Sequence, residues 1–444
     1  MRLARFMTIG RPARSRAAGR SRGLIAGALA VVAACVVPAP ASAAVMKIFA
    51  LPPSLKSPDQ IAVGPDGALW FTQDDEQDKR KHSVLGRMTT VGDASAVAVP
   101  AGSQPRALTP GPDGALWYAA DGTNVGRLGR VTPAGIEELL LPRGAESANG
   151  IVTGADGALW FTNGARIGRL VPGAPPTFIP IPDAESSLQQ IIADPNGDLW
   201  FTLESTIGRI TPAGTLSTFR LPRAARFTRD IALTADGALW FTSYDDPGIG
   251  RIALDGHIRM YDLPERDLPG AITVGPDHAI WFIGLSTIER ITAHGDVTEL
   301  RMPDPDLAFD RDLTSGPDGA IWFTRQIAKS DDDLGSRSGA IGRIPVAGRQ
   351  LLTARLTTDS FRARHGRLLR ISFTATRKAS GVVQVDRAGL SYYHPDAKRA
   401  VHAHTGANSV TLRLPRRPGS YRLVLRLQVP TQTAIDTARL TITR

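Results

Sequence analysis

Seven tryptophans, Trp70, Trp117, Trp160, Trp200, Trp240, Trp281 and Trp322, recur at intervals of 40 to 47 residues and predict an all-β fold, a seven-bladed β-propeller followed by a small Ig-like β-sandwich. The even spacing is the first observation. The second is the pattern around each tryptophan, two short apolar runs joined by an Asp-Gly or similar turn, which reads as a β-hairpin. The third is the loss of that pattern after residue 350, where short alternating runs follow instead.

The chain opens with a leader. Residues 2–22 are arginine-rich, residues 23–37 are an uncharged apolar run, and Ala41-Ser42-Ala43 is a small-residue cleavage signal, so residues 1–43 are expected to be a signal peptide. A helix of about 15 residues spans about 22 Å against a hydrocarbon core of roughly 30 Å, and no later stretch is long and apolar enough to span one. No transmembrane segment is expected after the leader, and the protein is expected to be secreted or associated with the cell envelope. Val32-Ala33-Ala34-Cys35 also resembles a lipoprotein signal, which would anchor the chain through a lipid on Cys35. Cys35 is the one cysteine, so cleavage after Ala43 leaves neither disulfide nor thiolate chemistry.

Residues 44–350 carry the repeat. Its turns are GPDG at 64–67 and 111–114, GADG at 154–157, DPNG at 194–197, TADG at 234–237, GPDH at 275–278 and GPDG at 316–319. Asp-Gly and Asn-Gly supply the positive φ angles of a tight hairpin turn, and His278 is the one departure. IGRI-like runs at 167–170, 207–210, 249–252 and 341–344 give a third strand, and a run ending in Leu-Pro or its equivalent gives a fourth. Four short strands in roughly 41 residues match a propeller blade rather than a helical or leucine-rich solenoid. The seventh unit lacks its fourth strand, whereas residues 47–51 (KIFAL) form a fourth-strand sequence standing before the first unit. The two ends are expected to close one ring, with the tryptophans packed between neighbouring blades.

Residues 351–444 show runs at 351–357, 368–376, 381–387, 409–414, 420–429 and 435–443, which suit a small antiparallel sandwich. Charge separates this part from the ring. The last 94 residues hold 17 Lys or Arg against four Asp, the first 43 hold seven Arg and no acid, and the formal total of +10 leaves the ring at −10. The acidic ring contains no basic run interleaved with aromatics, which disfavours nucleic acid as a partner. The basic sandwich reads either as a solvated accessory domain or as a surface for an anionic envelope polymer or the acidic ring itself.

In such a unit the loop entering the first strand and the loop after Trp-Phe-Thr share one face, and these loops vary between units. A small ligand is expected there. The entrance positions are Asp59, Arg106, Asn149, Gln189, Arg229, Gly270 and Arg311; those after the second strand are Gln73, Ala120, Asn163, Leu203, Ser243, Gly284 and Arg325. The candidate ligand-binding residues are Arg106, Asn149, Gln189, Arg229, Asp230, Arg311, Asp312 and Arg325, because guanidinium forks and amides suit an anion or carboxylate. The competing reading has these arginines paired with acids, notably Asp230 and Asp312, to fasten neighbouring blades. Two insertions on that face carry Asp74, Asp75, Glu76 and Asp78, and Asp331, Asp332 and Asp333, as candidate ligands for Mg²⁺ or Ca²⁺. Lys79, Arg80, Lys81 and Lys329 can instead neutralise them without metal.

The repeated string GPDGALWFT, with IGRI and Pro-x-Gly following, resembles the streptogramin B lyase family, also called virginiamycin B lyase, over residues 45–347. The resemblance implies a seven-bladed propeller that opens a cyclic depsipeptide by Mg²⁺-dependent elimination at its ester bond. It also implies a histidine at an entrance position as general base, a second such histidine at the substrate, and glutamates holding the metal. Here none of the eight histidines fills an entrance position, and the positions after Trp-Phe-Thr lack Glu, Glu204 being displaced by one residue. Arg, Asn and Gln cannot take the place of the base. No catalytic residue is assigned, and the expectation is an exported propeller that binds a ligand or the envelope without catalysis. The alternative is a Mg²⁺-dependent carbon–oxygen lyase of the family type or a lactone hydrolase, and a different reaction using Asp230, Asp312 or Glu204 stays open.

Overall fold

Each repeat begins with a turn closed by its own main chain. In Gly64-Pro65-Asp66-Gly67 the N–H of Gly64 donates to the Ala68 carbonyl (2.8 Å) and that of Gly67 to the Gly64 carbonyl (3.0 Å). Gly67 sits at φ 70°, and His278 holds the matching place in its own turn at φ 60°, the one non-glycine residue in the left-handed region among the described residues. The structure, a computed structural model, describes residues 46–444 apart from 74–83, 123–124, 143–147, 183, 185–186, 204, 223–227, 244–247, 254, 264–267, 286, 304–307, 329–336, 347–350 and 388–394.

The architecture is all-β, made of small and almost wholly antiparallel sheets. Pro58–Val63, Leu69–Gln73, Val84–Met88 and Ala94–Ala98 form the first sheet in sequence order, and four more four-stranded sheets repeat that order as far as Asp262. The strands Ala308–Ser315, Ala320–Ala328 and Arg337–Pro345 receive their fourth partner from the other end of the chain, Lys47–Ala50, with Phe49 opposite Ile341. Ile272–Val274, Ile280–Ile283, Thr287–Ile291 and Val297–Arg301 begin a sheet that does not stop at four strands.

Side chains from successive sheets meet in a regular way. Trp70 packs with Leu116 and Tyr118 of the next sheet, Trp117 with Ile151 and Phe161, Trp200 with Ile231 and Phe241, and Trp240 with Ile272 and Phe282. Trp281 packs with Leu313 and Phe323, and Trp322 returns to Ile61 and Phe71 of the first sheet. Burying such rings contributes on the order of 2–3 kcal/mol each. The indole N–H is satisfied locally: that of Trp70 donates to Asp66 Oδ1 (3.0 Å), while Arg87 Nε donates to Asp66 Oδ2 (2.6 Å) and its guanidinium lies 5.9 Å from the Trp70 ring centre. The same Asp, Trp and Arg recur as Asp113, Trp117 and Arg130, as Asp156, Trp160 and Arg169, and as Asp318, Trp322 and Arg343. Burial pushes the Asp66 carboxyl up, but the indole, the guanidinium and the Ala68 N–H outweigh it and hold the group below its usual range. These aspartates therefore contribute stability above about pH 4 that is lost as the pH falls through their lowered values.

The glycine of the IGRI run is a packing requirement. A Cβ on Gly250 would stand 1.9 Å from the Phe241 ring, and Gly168 and Gly342 face Phe161 and Phe323 in the same way. The sheet begun by Ile272–Val274 departs from this, with Glu289 opposite Phe282. Glu289 is buried, lies opposite the buried Glu299, and accepts a hydrogen bond from the Thr287 hydroxyl (3.1 Å).

Among the described residues after 350 there are eight strands, two of them, Ser360–Arg364 and Ala397–Ala403, beyond the six runs expected. Ala354–Leu356, Leu368–Ala375 and Gly406–Arg413 form one sheet. Ala379–Arg387, Ala397–Ala403, Gly419–Val429 and Gln432–Thr443 lie in the other, and Ser360–Arg364 joins it parallel to Gln432–Thr443. Phe373, Val383, Leu423, Leu425 and Leu440 fill the space between the two sheets.

The second sheet is not separate from the ring. Gln432–Thr443 pairs with Val297–Arg301, placing Ile435 opposite Val297 and Thr433 opposite Glu299, so eight strands run continuously and Ser360–Arg364 branches off as the ninth of the sheet. Val424 and Ile435 enter the apolar cluster of Trp240, Tyr261 and Phe282. The Thr298 hydroxyl donates to the Leu352 carbonyl (3.0 Å), and the Leu352 N–H donates to Gln432 Oε1 (2.7 Å). Among the described residues no helix is long and apolar enough to cross a membrane.

Candidate functional site

The entrance residues reach the mouth of the ring because the first strands bulge. The pairing register shifts between Pro58 and Ile61, between Ala148 and Ile151, between Thr228 and Ile231, and between Asp310 and Leu313. A bulge re-aims side chains and breaks the ladder locally. The threonine of Trp-Phe-Thr repairs the break: Thr72 Oγ1 accepts from the Gln60 N–H (3.1 Å), Thr162 from Gly150 (2.8 Å), Thr242 from Asp230 (3.2 Å) and Thr324 from Asp312 (3.0 Å). The Thr162 hydroxyl also donates to the Gln189 carbonyl of the next sheet (3.0 Å).

These bulges surround a cavity of about 180 Å³ lined by Asp59, Gln60, Asn149, Gln189, Gln190, Arg229, Asp230, Ala271, Arg311 and Asp312. Six of the eight expected ligand-binding residues are thus brought together. Gln60 and Gln190 were not expected, although they hold the same place in their repeats as Asp230 and Asp312, directly before the first-strand apolar residue. The other two lie elsewhere. Arg106 is paired with Asp121 (3.0 Å), and Arg325 is buried, faces Asp310 at 3.7 Å and donates to the Pro303 carbonyl. Asp74, Asp75, Glu76, Asp78, Asp331, Asp332, Asp333, Glu204 and His82 lie outside the described residues.

The two Arg-Asp steps behave alike. Asp230 accepts the N–H groups of Ile231 (2.8 Å) and of Ile272 in the next sheet (2.9 Å), and Asp312 accepts those of Leu313 (2.8 Å) and of Ile61 in the first sheet (2.8 Å). The two aspartates therefore fasten neighbouring sheets through main-chain donors rather than by pairing with the arginine beside them, while Arg311 spans the same junction to Asp59 of the first sheet. Arg311 Nε pairs with Asp59 (3.0 Å), whereas Arg229 is exposed at the rim. Amide donors are held by carbonyls, Asn149 by Leu188 (3.2 Å) and Gln189 by Ser187 (3.2 Å).

Enclosure sets the charge state of the pair. Burial pushes Asp312 up to about 8, with the Asp230 charge adding to the rise and the Ile61 and Leu313 N–H groups opposing it. Burial pushes Asp230 up to about 6, against the pull of its two main-chain donors and of Arg229. A raised carboxyl contributes stability that is full below about pH 4 and lost as the pH rises through its folded value. Asp312→Asn is expected to flatten the fall in stability between about pH 4 and 8, and to cost about 1–3 kcal/mol at pH 5 because one main-chain N–H loses its acceptor. Urea unfolding from pH 5 to 9 measures both; an unchanged slope in the variant would remove Asp312 as the source.

Each oxygen of Asp230 and of Asp312 already accepts one N–H donor and Asp59 Oδ1 is paired with Arg311, which leaves the described mouth fewer carboxylate oxygens without a donor than the about six or more oxygen ligands a divalent cation takes. Among the described residues no group of three or more His, Cys, Asp or Glu is placed to hold a metal.

Residues 36–165 and 136–354 match the family model described as the virginiamycin B lyase family. The chain belongs to the virginiamycin B lyase family. It is 30% identical to a streptogramin B lyase of known structure, over 67% of this chain and 97% of that one, with a TM-score of 0.57. It is 27% identical to virginiamycin B lyase from Staphylococcus aureus, solved with quinupristin as a catalytically inactive histidine-to-alanine variant, over 68% of this chain and 99% of that one, with a TM-score of 0.59. The WD40 repeats of RRP9 share the fold alone, at 12% identity and a TM-score of 0.53 over 69% of this chain and 98% of that one. No curated protein sequence matches the chain. The family match ends at residue 354, so nearly all of the sandwich lies beyond it.

Proposed function

We propose that residues 44–350 form a seven-bladed β-propeller, that residues 351–444 are an Ig-like sandwich, and that the mouth of the propeller is the site of a carbon–oxygen lyase acting on a cyclic ester of the depsipeptide class. Residues 1–43 direct export in this reading. The observation that carries it is the match to streptogramin and virginiamycin B lyases over nearly their whole length, which favours the lyase over the non-catalytic module that the entrance residues suggest. The blade count is supported by one tryptophan in each four-stranded unit and by the return of Lys47–Ala50 to the last of them.

The chemistry follows from the lining. Arg229 donates from the rim to the ester carbonyl, where a guanidinium supports growing negative charge. Asp230, with a value near 6, is mostly ionised at neutral pH and takes the proton as the substrate C–H bond breaks. The carbon–carbon double bond forms, the C–O bond breaks, and the carboxylate leaves with the electron pair. Asp312, near 8, keeps its proton and spares the site a second adjacent charge. The described mouth does not fit Mg²⁺, and no step is routed through it.

A second reading, binding without turnover, is favoured by the absence of histidine from every entrance position. Incubation of the mature protein with a streptogramin B antibiotic, with and without Mg²⁺, separates the two by chromatography and mass spectrometry. A linear product of unchanged mass is the expected elimination product, and it should vanish in Asp230→Asn. Gain of one water would mean lactone hydrolysis instead, and an intact ring would leave the binding reading standing.

A further inference from the structure

The sandwich carries a charge of +13, and the fold gathers part of it at one end. Two turns meet there. The turn after Ser360–Arg364 and the turn after Gly406–Arg413 interlock through the Gly366 N–H on the Pro415 carbonyl (3.0 Å) and the Leu414 N–H on the Arg367 carbonyl (2.9 Å). Tyr421 braces the second turn by donating to the Arg417 carbonyl (2.8 Å). The result is a rigid end that presents Arg364, Arg367, Arg413, Arg416 and Arg417, all exposed, with His365 beside them. No ion pair is found for these five among the described residues. Asp436 is occupied by the Leu356 and Thr437 N–H groups, and Asp386 by Gln384.

The position of this end decides what it faces. Along Gln432–Thr443, Ile435 pairs with the ring at Val297 and Thr443 pairs with Arg364. At about 3.3 Å per residue the basic end stands roughly 26 Å from the junction, so it does not dock on the acidic ring of its own chain. Five like charges held on interlocked turns repel one another unless anions cover them. They line no cavity among those described, which suits a chain of charges better than one small ion. Among the described residues at this end, Tyr421 is buried and Phe361 half-buried, so neither offers an exposed ring for stacking a base.

We propose that the interlocked turns form a binding surface for an acidic polysaccharide. The exported location proposed above selects that class of polyanion, and the charge argument is independent of the lyase reading. The guanidinium groups pair with successive carboxylates along the polymer, and the contact weakens as salt rises. The sandwich then holds the ring against an anionic matrix.

The test uses the full mature protein and immobilised alginate, with dextran as the neutral control and duplex DNA as a competitor. Wild type is expected to be retained on alginate and not on dextran. Arg416→Glu combined with Arg417→Glu is expected to weaken retention by about tenfold or more at low salt, with an unchanged melting curve, while the double Lys replacement keeps it. Lys398→Glu with Arg399→Glu, on the free edge strand, is expected to change retention by less than about twofold. Equal loss in both charge-reversal variants would show bulk charge alone and overturn the proposal. So would absence of alginate binding, or DNA displacing the protein at lower concentration than soluble alginate.

Discussion

Ile435→Asp is expected to destabilise the ring as well as the sandwich, by at least about 4 kcal/mol, because it buries a charge in an apolar cluster. Ile435 is 1% exposed and lies with Trp240, Tyr261 and Phe282. Every tryptophan of the chain is in the ring, so intrinsic fluorescence reports ring unfolding alone. A substitution in the last strand of the sandwich should therefore shift the tryptophan transition in urea, and far-ultraviolet circular dichroism should shift with it. Val383→Ala, in the sandwich core away from that cluster, supplies the comparison. If the tryptophan transition ignores Ile435→Asp, the nine-stranded sheet is not a cooperative unit.

Gly250→Val is expected to be about as damaging, with a loss of roughly 3 kcal/mol or more from overpacking. The strained partner is Phe241, fully buried and 1.9 Å from where the new Cβ would stand. Phe241→Ala in the same chain should recover part of that loss, giving a negative coupling in a double-mutant cycle on urea midpoints. Additive losses would mean that the valine is rejected by something other than the ring.

Local features were the most legible in the sequence. The seven tryptophans and their turns announce hairpins because both signals sit within a few residues of each other. The partner of Asp66 was not legible, since Arg87 lies a strand and a loop away and the aspartate also makes sense as a turn residue. At the mouth, repeat position alone brought Asn149, Gln189, Arg229 and Arg311 together. It failed for Arg325 because the strands of the last sheet are long, Ala320–Ala328 carrying that side chain into the sheet beside Asp310. Ser360–Arg364 and Ala397–Ala403 escaped notice because alternating Ala with Arg, Lys or His is a weak strand signal. The join between ring and sandwich had no signal at all, since edge pairing is made by main-chain groups that every sequence possesses.

That join gives the order of synthesis a role. Val297–Arg301 leaves the ribosome about 130 residues ahead of Gln432–Thr443, a wait of roughly 7–25 s at ordinary elongation rates. Through that interval the sixth sheet offers a bare edge to other nascent chains. Glu299 lies in that edge strand, and a carboxylate there discourages a foreign strand from adding. When the last strand arrives, Thr433 takes its place opposite, and the same glutamate ends 4% exposed. A residue that looks misplaced in the finished sheet is suited to guarding the unfinished one.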